Sequence, residues 1–228
     1  MLDDKQKILI LGGTKEAAEL AETLTAEGHD VTTSLAGRTK EAKPITGKTR
    51  IGGFGGSNGL ADWINANGIT KLIDATHPFA LQISENAKTA AKTTGVIFEV
   101  LLRKPWKREP NDIWVEVPSI ERAVAEIPYG ATVLLALGSQ HIEPFTQRHD
   151  VNFIIRMVDA PHCPLPFENY RLLLERPSQS VAAEMSTLIE HQCTHIVCRN
   201  SGGKGAYAKI EAARKRRLPV IMISRPAS

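Results

Sequence analysis

Glycine and polar residues collect at six places in this chain, each directly after a segment that reads as a strand. The first is Gly12-Gly13-Thr14, behind Ile8-Leu9-Ile10-Leu11. A glycine pair lets backbone pass close to a ligand. The helix start behind it offers unpaired N–H groups and a positive dipole end, which suits a pyrophosphate. The turn lacks the full G-x-G-x-x-G pattern, so a plain strand-to-helix bend is the competing reading. The second place ends in Gly37 and Arg38. A fold that takes the unphosphorylated dinucleotide puts Asp or Glu there, to hold a ribose hydroxyl. Arg38 instead offers a guanidinium fork, which favours a 2′-phosphate and hence NADPH, with NADH as the alternative.

Gly52, Gly53, Phe54, Gly55 and Gly56 form the third cluster. Four glycines cost much backbone entropy on ordering, which a loop closing over a flat or anionic ligand would justify, with Phe54 stacking. The fourth, Asp74-Ala75-Thr76-His77-Pro78, leaves a buried strand and enters a helix. Pro78 suits a first helical position and Thr76 or His77 the cap. Asp74 and His77 are the catalytic candidates, His77 as a proton donor with water as its rival. Gly138-Ser139-Gln140 is the fifth. Asn200-Ser201-Gly202-Gly203-Lys204, flanked by Arg199 and Lys209, is the sixth and forms a second anion site. His191, Cys193, His195 and Cys198 resemble metal ligands, but His195 and Cys198 fall on opposite faces of a strand, so no metal is expected.

Alternating strands and helices must position these turns. Strands are expected at 7–11, 29–35, 49–51, 69–73 and 96–102, with helices at 15–27, 59–67 and 79–94. The second half continues with strands at 114–117, 132–137, 152–157, 195–198 and 219–223. Its helices are expected at 119–127, 178–191 and 204–217, the last with a solvated cationic face over 209–217. Continuous apolar strands joined through helices predict parallel sheets. The fold class is therefore α/β, with two Rossmann-like lobes and a ligand cleft between them. Residues 103–111, with two prolines and the cations Arg103, Lys104, Lys107 and Arg108, read as a linker or hinge. That places a cofactor lobe at 1–103 and a substrate lobe at 104–228.

The 228 residues carry 28 Lys+Arg against 25 Asp+Glu, a net charge of +3. So small a charge does not argue for nucleic acid, and 42% hydrophobic content excludes a disordered chain. No apolar run is long enough to span a membrane and no signal-peptide pattern opens the chain, so a cytoplasmic monomer or weak dimer is expected. A short-chain dehydrogenase would need Lys four residues after a tyrosine, and Tyr129, Tyr170 and Tyr207 lack it.

The ordered segments resemble the precorrin-6A and cobalt-precorrin-6A reductases of corrin-ring biosynthesis. The residues that carry the likeness are Ile10-Leu11-Gly12-Gly13-Thr14-x-Glu16-Ala17, Ser34-Leu35-Ala36-Gly37-Arg38, the glycine cluster at 52–56, and Asp74-Ala75-Thr76-His77-Pro78-Phe79-Ala80. Arg103-x-Pro105-Trp106, Asn200-Ser201-Gly202-Gly203 with Ala208-Lys209, and Pro219-Val220-x-Met222-x-x-Arg225-Pro226 complete them. Arg199 departs from the family's lysine; it keeps the charge but cannot donate a proton.

The resemblance implies NAD(P)H-dependent reduction of the C18–C19 double bond of the macrocycle. The cofactor would be held by Gly12, Gly13, Thr14, Glu16, Arg38, Gly52, Gly53, Phe54, Gly55, Gly56 and Thr76. The polycarboxylate tetrapyrrole would lie on Gln140, Arg199, Asn200, Ser201, Gly202, Gly203, Lys204 and Lys209. A nucleotide-binding sensor without turnover, or a reductase of another small substrate, is the alternative.

Overall fold

A computed structural model of the protein describes residues 5–37 and 44–226. Arg38 lies outside the described residues. The chain divides into two units, Met1–Arg103 and Lys104–Ser228.

The first unit runs β1 (Lys7–Leu11), α1 (Lys15–Ala26), β2 (Asp30–Leu35), β3 (Lys48–Ile51), α2 (Gly56–Asn67), β4 (Lys71–Asp74), α3 (Leu81–Thr94) and β5 (Ile97–Val100). Its sheet has the order β3-β2-β1-β4-β5, with every pairing parallel. Alternate residues of β1 serve opposite faces, as the strand period demands. Ile8 and Ile10 pack with Ala17 and Ala21 of α1, whereas Leu9 and Leu11 pack with Leu60 and Ile64 of α2 and Ala87 and Ala90 of α3. β1 therefore needs apolar residues on both faces, and this is why it reads as a continuous apolar run.

The second unit runs β6 (Trp114–Val117), α4 (Ile120–Ala125), β7 (Thr132–Ala136), β8 (Asn152–Met157), β9 (Tyr170–Leu174), α5 (Val181–Glu190), β10 (His195–Arg199), α6 (Ala208–Arg216) and β11 (Val220–Ile223). Its parallel sheet has the order β6-β11-β10-β7-β8-β9. Two short 3-10 turns, Ser139–His141 and Glu143–Gln147, follow β7. Leu134, Ile154, Ile196, Val220 and Met222 form the core under Leu188 and Ile210.

Several expectations are corrected. The strand β9 has no counterpart in the sequence reading; it carries the short apolar run Leu172-Leu173-Leu174, but it lies at the sheet edge and none of its residues is fully buried. The helix expected from 59 starts at Gly56. The one expected from 79 starts at Leu81, and its cap is Ala80 without a side-chain bond, so Pro78, Thr76 and His77 do not open it. Residues 77–80 instead close a tight turn, with Ala80 N donating to His77 O at 2.7 Å.

The helix expected from 204 starts at Ala208, behind Gly202 and Gly203, which both adopt positive φ. Its face is not wholly solvated, because Lys209, Ile210, Ala212 and Ala213 are buried. Residues 104–112, most of the segment read as a linker or hinge at 103–111, are bonded within the second unit. Asp112 is buried, takes Arg214 Nε at 2.8 Å and Glu109 N at 2.8 Å, and Arg108 grips its carbonyl at 3.1 Å.

One buried ion pair joins β8 to α5. Arg156 Nη1 donates to both oxygens of Glu184 at 2.9 Å, with 3% and 1% of the side chains exposed. Ser178 N adds a third bond to that carboxylate at 2.7 Å. Removing Glu184 leaves the buried guanidinium only the half-exposed Glu175 carboxylate, 3.1 Å from Arg156 Nε. Glu184→Ala should therefore lower the unfolding free energy by about 3 to 5 kcal/mol in urea; a loss below about 1 kcal/mol would contradict this reading.

Candidate functional site

In an open parallel sheet the crevice lies at the carboxyl ends of the strands where the winding direction reverses. In the first unit that point falls between β1 and β4, and in the second between β7 and β10. The first brings together Gly12-Gly13-Thr14 and residues 74–77; the second brings together residues 138–140 and 199–203.

At the first point the register puts Leu11 beside both Ser34 and Asp74. Gly12 leaves β1 so close to β2 that an added Cβ would lie 2.7 Å from Thr33 Cγ2. Thr14 then serves two elements. Its Oγ1 caps α1 by accepting Ala17 N at 3.1 Å, and it donates to Ala75 O at 2.9 Å. The hydroxyl thus ties the end of β4 to the start of α1. Among the described residues, the N–H groups of Gly13, Thr14 and Lys15 have no acceptor, which leaves the helix start open to an anion.

Glu16 sits in the first turn of α1 and pairs with Arg103 at 3.3 Å. Asp74 is buried and turned inward. Its Oδ1 accepts Thr76 N at 3.0 Å and Thr76 Oγ1 at 2.6 Å, so it shapes the turn that carries His77. His77 Nδ1 accepts Phe79 N at 3.3 Å, a bond that favours the tautomer with its proton on Nε2.

The glycine cluster depends on a residue that sequence reading missed. Arg50, on β3, donates to Gly52 O, to Gly53 O at 2.6 Å and to Ser34 Oγ at 3.2 Å. Its guanidinium also lies 3.7 Å from the centre of the Phe54 ring, which meets Trp63 edge-on at 5.8 Å. Phe54 therefore packs within the protein. An arginine two residues before a glycine run was the available signal.

In the second unit, Arg199 Nη2 reaches across the reversal point to Leu137 O at 3.0 Å. Gln140 and Lys204 are exposed. The Asn200 amide is engaged at both ends with residue 106: its Oδ1 accepts Trp106 N at 2.8 Å and its Nδ2 donates to Trp106 O at 3.0 Å. Gly202 has φ +65, and an added Cβ would strike the Lys104 carbonyl and the Arg225 guanidinium, so only glycine fits. Lys209 Nζ donates to Ala206 O at 2.8 Å and lies 5.0 Å from the centre of a Trp106 ring. Burial pushes its ammonium below the ordinary lysine pKa.

Cys193 and Cys198 are buried free thiols and Cys163 is exposed; burial raises the Cys193 pKa to about 11. Among the described residues no three His, Cys, Asp or Glu side chains gather as metal ligands, and no helix is long and apolar enough to cross a membrane.

Comparison with known proteins now bears on this geometry. The chain is 44% identical to precorrin-6A reductase of Rhodobacter capsulatus over 224 residues, covering 97% of this chain and 88% of that protein. It is 29% identical to cobalt-precorrin-6A reductase of Priestia megaterium over 235 residues, covering 96% and 90%. The solved structure of a CobK precorrin-6A reductase superposes with a TM-score of 0.95 at 43% identity, over 97% of this chain and 89% of that one. The family description "Precorrin-6x reductase CbiJ/CobK" matches residues 7–228, and so the chain belongs to the precorrin-6x reductase family.

Proposed function

We propose that this oxidoreductase of cobalamin biosynthesis reduces the C18–C19 double bond of precorrin-6A, using NADPH bound on the first unit and holding the macrocycle's carboxylates on the second. The observation that carries the reading is the chemistry of the two reversal points. Each ends in a glycine turn rich in backbone donors, as two separate anionic ligands require. Identity of 44% to a precorrin-6A reductase, against 29% to a cobalt-precorrin-6A reductase, supports the metal-free ring as substrate.

The first unit fits a dinucleotide. The open N–H groups at the start of α1 suit a pyrophosphate, and Gly12 admits its close approach. Arg38 would hold the 2′-phosphate, with the arginine-braced turn at 52–56 beside it. Thr76, fixed by Asp74, would position the nicotinamide end. When bound, the nicotinamide supplies a hydride. His77 would pass on the accompanying proton at Nε2 and take one back from water, so that the ring stays neutral. Ser201, Gly202, Gly203 and Lys204 would bind ring carboxylates. Arg199 and Gln140 would edge that site, and Asn200 and Lys209 would support it from behind.

Anaerobic assay with precorrin-6A and its cobalt form, followed by loss of nicotinamide absorbance, should give faster turnover with the metal-free ring; no turnover of either would refute the reading. Arg38→Ala should raise the NADPH KM about 10- to 100-fold, the worth of a charge-assisted bond, and leave the NADH KM nearly unchanged. Equal effects on both would contradict the phosphate role. His77→Gln should cut kcat about 100-fold at unchanged KM values. An unaltered kcat would pass the proton to water.

A further inference from the structure

A glycine turn can hold a carboxylate only when its N–H groups, and not its carbonyl oxygens, are presented to the ligand. The turn at 200–203 meets that demand through three bonds from outside itself. Arg225 Nε donates to Asn200 O and its Nη2 to Ser201 O, each at 2.9 Å. The Trp106 indole Nε1 donates to Gly203 O at 2.7 Å. Three carbonyls of the turn are thereby occupied. Among the described residues, the N–H groups of Gly202 and Gly203 have no acceptor, although Gly202 is buried. A buried, unpaired N–H is costly, and its natural remedy is an anion.

The two donors are themselves held firmly. Trp106 is 9% exposed, bonded through its own N–H and carbonyl to the Asn200 amide, with its ring 5.7 Å from that of Tyr207 and close to the Lys209 ammonium. Arg225 lies against Gly202, where a side chain would collide with it. A shallow cavity of about 410 Å³ opens beside Gly203, where Lys107 and Lys204 line it together with Glu109 and Glu211. The turn thus has room for a ligand on one side and a fixed scaffold on the other.

We propose that Trp106 and Arg225 are positioning residues for a substrate carboxylate: they draw the carbonyls of Asn200, Ser201 and Gly203 aside and so convert the turn into an anion-binding nest. Neither side chain needs to touch the macrocycle. The proposal rests on the assignment of this turn to the tetrapyrrole, and it adds the two residues that give the turn its polarity.

Two conservative variants test it. Trp106→Phe keeps a ring and removes the bond to Gly203 O. Arg225→Lys keeps the charge and removes the two-pronged grip. Both are assayed anaerobically with precorrin-6A and NADPH varied in turn, and thermal unfolding is recorded alongside. Each variant should raise the precorrin-6A KM about five- to tenfold, with kcat and the NADPH KM within about twofold of the parent. A merely structural role would lower the midpoint of unfolding or disturb both KM values together, and that pattern overturns the proposal. Folded variants with an unchanged precorrin-6A KM overturn it too, while parental turnover leaves the reductase reading intact. If Arg225→Lys does not fold, Trp106→Phe decides alone. A parent protein that does not turn over precorrin-6A defeats the reductase reading and this proposal with it.

Discussion

A carbonyl oxygen facing an anion repels it, and every peptide of a turn carries a carbonyl as well as an N–H. A protein that binds phosphates and carboxylates by backbone must therefore restrain its carbonyls as carefully as it presents its donors. Here that restraint recurs in both units. Thr14 Oγ1 occupies Ala75 O, Arg50 occupies Gly52 O and Gly53 O, and Arg225 occupies Asn200 O and Ser201 O. The glycines supply conformations and close approach, and side chains brought from elsewhere decide which way the turn is polarised.

This division of labour explains why the parallel sheets matter to the chemistry. Register aligns Leu11 with Asp74, so the hydroxyl of Thr14 can reach Ala75. Pairing of Arg199 with Ile223 brings the chain after β11 back beside the turn after β10, within reach of Arg225. The apolar runs of β1 and β10, buried on both faces, hold those ends in place. Burial of strand residues on both faces contributes stability at about 25 cal/mol per Å² of apolar surface, so a slip in register would be costly as well as disruptive.

Much of this was legible in the residues. The continuous apolar runs marked the strands that are buried on both faces, such as β1, and the glycine turns stood where the strands end. A hydroxyl before an apolar periodic stretch is a local signal for a helix start, and Thr14 and Ser119 do cap α1 and α4. What escaped depends on contacts distant in sequence. The segment read as a linker at 103–111 is bonded within the second unit by Asn200, through Trp106, and by Arg214, through Glu109, about a hundred residues away. Lys209 looked like part of a charged surface, and only the packing of α6 shows it buried. The edge strand β9 carries three consecutive leucines, but its place in the sheet is set by its pairing with β8. Helix starts were misplaced where tight turns at 77–80 and 202–207 consume residues that propensity alone would assign to the helix.

The central claim is that the two glycine turns receive different ligands through backbone N–H groups. The most direct test is amide NMR of the labelled protein, observing Gly13, Gly202 and Gly203 while NADPH and then precorrin-6A are added without oxygen. NADPH alone should shift Gly13 and leave Gly202 and Gly203 in place, and the macrocycle should then move those two. Resonances of Gly202 and Gly203 that follow NADPH while Gly13 stays unmoved would contradict it.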